Sequence, residues 1–131
     1  MNAPTALSHV LPATVMRHAP PALLAALQAR FGAQYSAAQA VREQHGRDES
    51  AFVDTPPPAA VVFAHSTQDV QDAVALCAQH DTPVIPFGVG SSLEGHLLAV
   101  HGGVSVDVSR MNQVLAINAE DLTVTVQAGV T

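Results

Sequence analysis

The residues best suited to chemistry lie in one stretch, P-V-I-P-F-G-V-G-S-S-L-E-G-H, running from Pro83 to His96. Three glycines and two serines follow a short apolar run there. Glycines where a strand ends let successive backbone N–H groups turn inward, and serine hydroxyls add donors. The chemistry this suits is anion binding, phosphate above all. The chain has no lysine, and its arginines (Arg17, Arg30, Arg42, Arg47 and Arg110) are scattered, so backbone amides are the natural cradle.

Two well-known phosphate loops fail here. The triphosphate pattern GxxxxGK[ST] is approached by Gly90 to Leu97, but His96 stands where the lysine belongs and Leu97 where a magnesium-binding hydroxyl is needed. The dinucleotide pattern G-x-G-x-x-G starts at Gly88 and Gly90, but Leu93 replaces the third glycine and residues 91–101 open no clear helix. Asp107 stands near the spacing of a ribose-binding acid, which alone is weak support.

Other chemistry is poorly supported. His65, His80, His96 and His101 share no metal-ligand spacing, and Cys77 is the single cysteine, so no metal site is expected. Cys77 falls on the apolar face of a predicted helix and reads as packing. No G-x-S-x-G elbow is present, and no catalytic residue is assigned within the chain. A formal net charge of −6 with dispersed arginines excludes a nucleic-acid groove and a basic membrane patch. The start of the chain lacks a basic leader region, and no apolar run spans a bilayer. The expectation is a soluble, non-exported, cytoplasmic protein without a transmembrane segment.

The elements around the loop follow from the pattern. Residues 1–19 read as a loose arm. Pro20-Pro21, an apolar stripe of Leu23, Leu24, Leu27 and Phe31, and Gly32 predict a helix. Ser36 with Gln39 suggests a capping box for a second short helix ending near His45-Gly46. Pro56-Pro57-Pro58 is a stiff linker, dividing a helical segment (1–55) from an α/β segment (56–131). Beyond it, 59–64 reads as a strand. Ser66 with Asp69 opens a helix whose inner face is Val70, Val74 and Cys77, and V-I-P forms the next strand in a βαβ unit with parallel strands. Residues 104–108 alternate apolar and polar. Q-V-L-A-I-N and L-T-V-T-V-Q, joined by Ala119-Glu120-Asp121, predict an antiparallel hairpin.

Three motifs in order, P-V-I-P-F-G-V-G-S-S-L-E-G-H, G-G-V-S-V-D-V-S-R-M-N and E-D-L-T-V-T-V-Q-A-G-V-T, resemble the FAD-binding domain of the vanillyl-alcohol-oxidase superfamily. Within it they are most similar to the D-lactate dehydrogenase (cytochrome) and glycolate oxidase FAD subunit group, and R-E-Q-H-G-R-D-E-S (42–50) resembles the stretch preceding that domain. The resemblance implies an α+β, PCMH-type FAD-binding half-domain with a βαβ core and antiparallel hairpin, preceded by N-terminal helices.

It further implies that Pro86, Phe87, Gly88, Val89, Gly90, Ser91 and Ser92 hold the FAD pyrophosphate, and that His96 and Gly129 neighbour the cofactor. Ser91 occupies the position where some members carry a flavin-tethering histidine, so non-covalent FAD is expected. His96 has a structural reading beside the cofactor one. Glu94 reads as a brace of the loop, and Asp107 and Ser109 as turn-forming residues.

By the same resemblance, the full enzyme oxidises D-lactate or a related D-2-hydroxy acid to the 2-keto acid. A hydride passes to the flavin and electrons to a cytochrome or quinone-linked acceptor, with a peripheral place at the inner membrane. Relatives continue past the A-G-V-T position, where the catalytic groups lie. The chain alone is expected to be inactive, to bind FAD weakly and to self-associate through the face left apolar. The alternatives are a non-catalytic module pairing with a separate chain, or another flavoenzyme of the same fold, of ether-lipid synthase or cell-wall reductase type.

Overall fold

The computed structural model describes residues 17–50 and 55–131. Most of the expected N-terminal arm therefore lies outside the described residues, but Arg17 is tethered: its N–H donates to the His101 carbonyl at 2.9 Å, and its guanidinium pairs with Asp81 at 2.6 Å.

Helix α1 spans Pro21–Phe31, with proline in the first turn and Gly32 (φ +53°) ending it. Its Leu23, Leu27 and Phe31 are buried, whereas Leu24 is only half-buried. A 3-10 turn, Gly32–Gln34, leads to a two-residue strand β1, Tyr35–Ser36, and helix α2, Gln39–Gln44. The capping box expected at Ser36 and Gln39 is not formed. Ser36 is a strand residue opposite Val61, and Gln39 is the first helical residue rather than the third.

After the proline linker come β2 (Ala60–Phe63), α3 (Thr67–Gln79), β3 (Val84–Phe87) and β4 (Val104–Asp107). The capping of α3 is as expected: the Asp69 N–H donates to Ser66 Oγ at 3.1 Å. Its inner face differs from the expected one. Val74 is 44% exposed, and the buried stripe is Asp69, Ala73 and Cys77, spaced by four. The rotation is set by Asp69, whose carboxylate turns inward to accept from Gln34 and Arg30.

The strands lie in the order β1-β2-β4-β3, with β1 antiparallel and the rest parallel. The predicted βαβ unit is present, but β4 is inserted between β2 and β3. Although residues 104–108 alternate apolar and polar, all four β4 residues are buried, because the strand is central and covered on both sides. Val104 and Val106 face a core with Leu23, Leu27 and Cys77, while Ser105 and Asp107 alternate to the opposite face. The helical segment and the segment beyond the linker thus share one core, and the line at residues 55–56 divides sequence rather than packing.

The hairpin is formed as expected by β5 (Val114–Asn118) and β6 (Thr123–Val126). A register shift between Val114 and Ala116 puts three residues on one strand against two on the other. Val114 then pairs with Val126 and Ile117 with Val124, so four apolar residues share a face, all of them exposed.

Candidate functional site

Register brings three residues into one row at the carboxyl ends of the parallel strands: Phe63, Asp107 and Phe87. In open α/β sheets that edge is where ligands bind. His45, ending α2, packs on this row. Its ring lies edge-on to Phe63 with centroids 5.5 Å apart, and tilted on Phe87 at 4.3 Å. Its Nδ1 bonds the Val41 carbonyl at 2.8 Å, and its Nε2 bonds Asp107 Oδ2 at 2.9 Å. Both partners are acceptors, so the two bonds together call for a proton on each ring nitrogen. The pair is buried, its side chains 5% and 6% exposed. Burial pushes the Asp107 carboxyl up, but the bonds from His45 and from Ser109 outweigh it and hold it below the usual carboxylate range.

The glycine loop leaves this row directly after Phe87. Among the described residues, no backbone acceptor takes the N–H groups of Gly88, Val89, Gly90, Ser91, Ser92 or Leu93. These six successive amides, without a backbone partner among the described residues, are available as donors to an anion. Gly90 adopts φ +76°, and a Cβ there would stand 3.1 Å from Phe87 Cζ, so the loop folds back against that ring. At Gly88 a Cβ would meet nothing within 4 Å, which leaves open approach to the backbone. The far end of the loop is anchored by buried Leu97, Leu98 and Ala99.

A cleft of about 550 Å³ opens over this region, lined by Gly88, Val89, Gly90 and Ser109 together with Arg47, Asp48 and Glu49. The 47–50 segment also braces the loop: the Glu49 N–H donates to the Ser92 carbonyl at 2.9 Å. Asp48 Oδ1 accepts the Ser50 amide at 2.9 Å and its hydroxyl at 2.5 Å, and the Ser50 hydroxyl in particular holds Asp48 below the usual carboxylate range.

The structure brings Phe87, Gly88, Val89 and Gly90 to the cleft, with Ser91 and Ser92 following in the same loop. Pro86 is the exposed residue of β3 just before it. His96 meets Ser92 Oγ, its ring nitrogens 3.2 and 3.3 Å away. Gly129 lies apart, against Val108 and Ser109. Glu94 does not brace the loop through its carboxylate; it is exposed, and its amide donates to Ser92 Oγ at 3.4 Å. The turn role of Asp107 and Ser109 is present, with the Ser109 N–H on Asp107 Oδ1 at 2.7 Å. What the residue pattern did not reveal is His45, 62 residues from Asp107, and the bracing by Glu49. Both lie in the 42–50 stretch, whose resemblance to the segment preceding the domain and whose run of charges, Arg47 to Glu49, marked it without assigning either residue a role.

Comparison with known proteins agrees with this architecture. A probable mitochondrial D-lactate dehydrogenase of Danio rerio is 46% identical over 96 residues, covering 73% of this chain and 19% of that protein. The cytochrome-type mitochondrial D-lactate dehydrogenase of Arabidopsis thaliana is 37% identical over 87 residues, covering 66% and 15%. Glycolate oxidase subunit GlcD of Bacillus subtilis is 37% identical over 73 residues, covering 56% and 16%. The chain therefore spans less than a fifth of these relatives' length. Among solved structures, alkyldihydroxyacetonephosphate synthase superposes with a TM-score of 0.74 at 27% identity, covering 88% of this chain and 26% of that one. p-Cresol methylhydroxylase, the PCMH of the fold's name, does so at 0.68 and 23% identity, covering 84% and 22%, and so shows the α+β fold alone. The model of the FAD binding domain matches residues 58–131. The chain belongs to the FAD binding domain family, and its cofactor is FAD.

Proposed function

We propose that this chain is the FAD-binding portion of a flavoprotein oxidoreductase that oxidises D-lactate or a related D-2-hydroxy acid to the 2-keto acid. The observation that carries the cofactor half of this reading is the run of six amides without a backbone partner among the described residues, at the carboxyl edge of the sheet. The substrate half rests on similarity to proteins named D-lactate dehydrogenase.

The residues present suit FAD. Gly88 and Gly90 allow close backbone approach, the amides from Gly88 to Leu93 donate to the pyrophosphate, and the Ser91 and Ser92 hydroxyls add donors. Pro86 and Phe87 set where the loop starts, and His96 orients Ser92. Gly129 holds the chain after the hairpin near Ser109, on the cleft's margin. Exposed Glu49 puts a carboxylate on the rim, which suits hydroxyl groups rather than phosphate. With serine at position 91 we assign non-covalent binding. Once bound, FAD supplies the acceptor for the electrons of the hydroxy acid.

The partners in this reading are a D-2-hydroxy acid and a cytochrome or quinone-linked acceptor, both met by parts of the enzyme outside these 131 residues. The N-terminal portion of the FAD domain is placed at 56–131 and its helical lead-in at 1–55. No helix among the described residues is long and apolar enough to cross a membrane. The single cysteine supports the cytoplasmic location proposed here, and its membrane-peripheral part rests on the cytochrome or quinone-linked acceptor.

One test separates the two halves. The chain is fused ahead of the remaining portion of the Danio rerio D-lactate dehydrogenase, and separately ahead of that of the Dictyostelium discoideum alkyldihydroxyacetonephosphate synthase, and flavin absorbance and the activity of each graft are measured to see which catalytic portion this chain can serve. The expected outcome is FAD uptake with dye reduction by D-lactate and not by L-lactate, while the 131-residue chain alone turns nothing over and holds FAD weakly. A fusion that takes up no FAD would sink the cofactor half. FAD uptake by both fusions with activity only in the alkyldihydroxyacetonephosphate synthase graft would favour the second reading, another flavoenzyme of this fold, which the likeness to that synthase supports.

A further inference from the structure

We propose that His45 is a positioning residue for the cofactor loop: through its ring contact with Phe87 it fixes the backbone that binds pyrophosphate. The proposal rests on the pyrophosphate reading of that loop.

His45 reaches the terminal residue of all three parallel strands, packing on Phe63 and Phe87 and bonding Asp107 between them. Its second bond goes to the carbonyl of Val41 in its own helix, so both ring nitrogens are held and the ring cannot turn. Phe87 is therefore set from one side by a fixed imidazole. Gly90 also closes on the same ring, where an added Cβ would stand 3.1 Å from Phe87 Cζ. Gly88, whose amide opens the run of six, is the next residue along the chain. A shift of Phe87 would move the start of the loop and its turn together. Direct ligand contacts hold their geometry only when the groups behind them are locked by packing and hydrogen bonds, and His45 is that lock here.

A purely structural His45 would serve only to satisfy the buried Asp107, a task any donor could perform. Three variants separate the two roles. His45→Gln keeps a donor for Asp107 and removes the ring. Phe87→Leu removes the other side of the ring contact and leaves the buried pair intact. Asp107→Asn keeps the ring in place: the amide oxygen accepts from Ser109, and the NH₂ donates to a neutral imidazole whose Nδ1–H still serves Val41.

The probe is ADP, which carries the diphosphate without the flavin ring, titrated into the 131-residue chain and followed by amide NMR, with FAD as the second ligand. The wild-type chain is expected to bind ADP and to shift the amide signals of residues 88–92. His45→Gln and Phe87→Leu should weaken ADP and FAD by the same factor, about tenfold, as residues that orient a ligand's direct partners do. In both variants those loop signals should broaden while the signals of α1 and α3 stay in place. Asp107→Asn should bind close to wild type. If His45→Gln fails to fold, Phe87→Leu tests the same contact from the loop side. Wild-type affinity and unchanged loop signals in both ring variants would overturn the proposal. So would an equal loss in Asp107→Asn, which would make the buried pair decisive instead of the ring. If the wild-type chain takes up neither ligand, the same variants are titrated in the fusion described above; failure of chain and fusion alike would overturn the pyrophosphate reading itself, and this proposal with it.

Discussion

At Gly129 the space for a side chain is missing altogether. A Cβ there would stand 2.0 Å from the Val108 carbonyl oxygen and 3.0 Å from Ser109 Cα, both backbone atoms that cannot swing away. The Gly129 N–H meanwhile donates to the Met111 carbonyl at 2.8 Å, tying the end of the hairpin to the segment that follows β4. Gly129→Ala must therefore push these two backbones apart, and the expected cost is about 1–3 kcal/mol, typical of inserting a group into filled space. Urea unfolding should show a lower midpoint with an unchanged slope. An unchanged midpoint would mean that residues 128–131 separate freely from β4. The family resemblance pointed to this glycine as a neighbour of the cofactor, and the structure supplies a reason for glycine that is internal to the protein.

At the scale of elements, the N-terminus of α3 ties three segments together. Ser66 Oγ accepts the Asp69 amide at 3.1 Å, while the Asp69 carboxylate accepts from His65 N–H at 3.0 Å, Gln34 at 2.9 Å and Arg30 at 3.1 Å. Burial alone pushes the Asp69 carboxyl up, but the bonds from Gln34, the His65 amide and Arg30 prevail and hold it below its ordinary value. A carboxyl lowered in the folded state contributes stability above its unfolded pKa and loses it as pH falls through the folded one. Ser66→Ala should cost about 1 kcal/mol at neutral pH. The stability gap between wild type and Asp69→Asn should shrink below about pH 4, where the unfolded carboxyl begins to take up its proton. A gap that stayed constant down to strong acid would show that the charge of Asp69 contributes nothing. This cap was legible because both partners lie within one helical turn. The box at Ser36 and Gln39 is of the same kind but failed, because Ser36 is claimed by pairing with Val61, 25 positions further along the chain. The same distance effect hid the insertion of β4 between β2 and β3, and the bond from His45 to Asp107. The glycine loop itself was legible because its chemistry is local, whereas the residues bracing it come from a segment more than 40 positions earlier.

For the whole molecule, the two sheets have unequal fates. The four-stranded sheet is covered by helices and carries the core, while every residue of the hairpin is exposed. The irregular register at Leu115 aligns Val114, Ile117, Val124 and Val126 on one face and leaves Ala116, Asn118, Thr123 and Thr125 on the other. Ile117 is 75% exposed and Leu122, at the turn, 92%. A two-stranded ribbon is marginal by itself, and its free edges and apolar face invite another surface. The root is held by the Gln127 N–H on the Gln113 carbonyl at 2.9 Å and by Gly129 on Met111, so the face is presented rather than loose. Self-association of the 131-residue chain through this face is the expected consequence. Sedimentation should show a weight-average mass that rises with concentration, although the net charge of −6 opposes contact between copies at low salt. Ile117→Thr combined with Val124→Thr places a polar cross-strand pair at the centre of the face while keeping β-branched residues in both strands. The double variant should sediment as a monomer with its melting temperature unchanged, because neither side chain packs against the core. A wild-type chain that stays monomeric at every concentration, or a double variant that associates just as strongly, would rule out the hairpin as the contact surface.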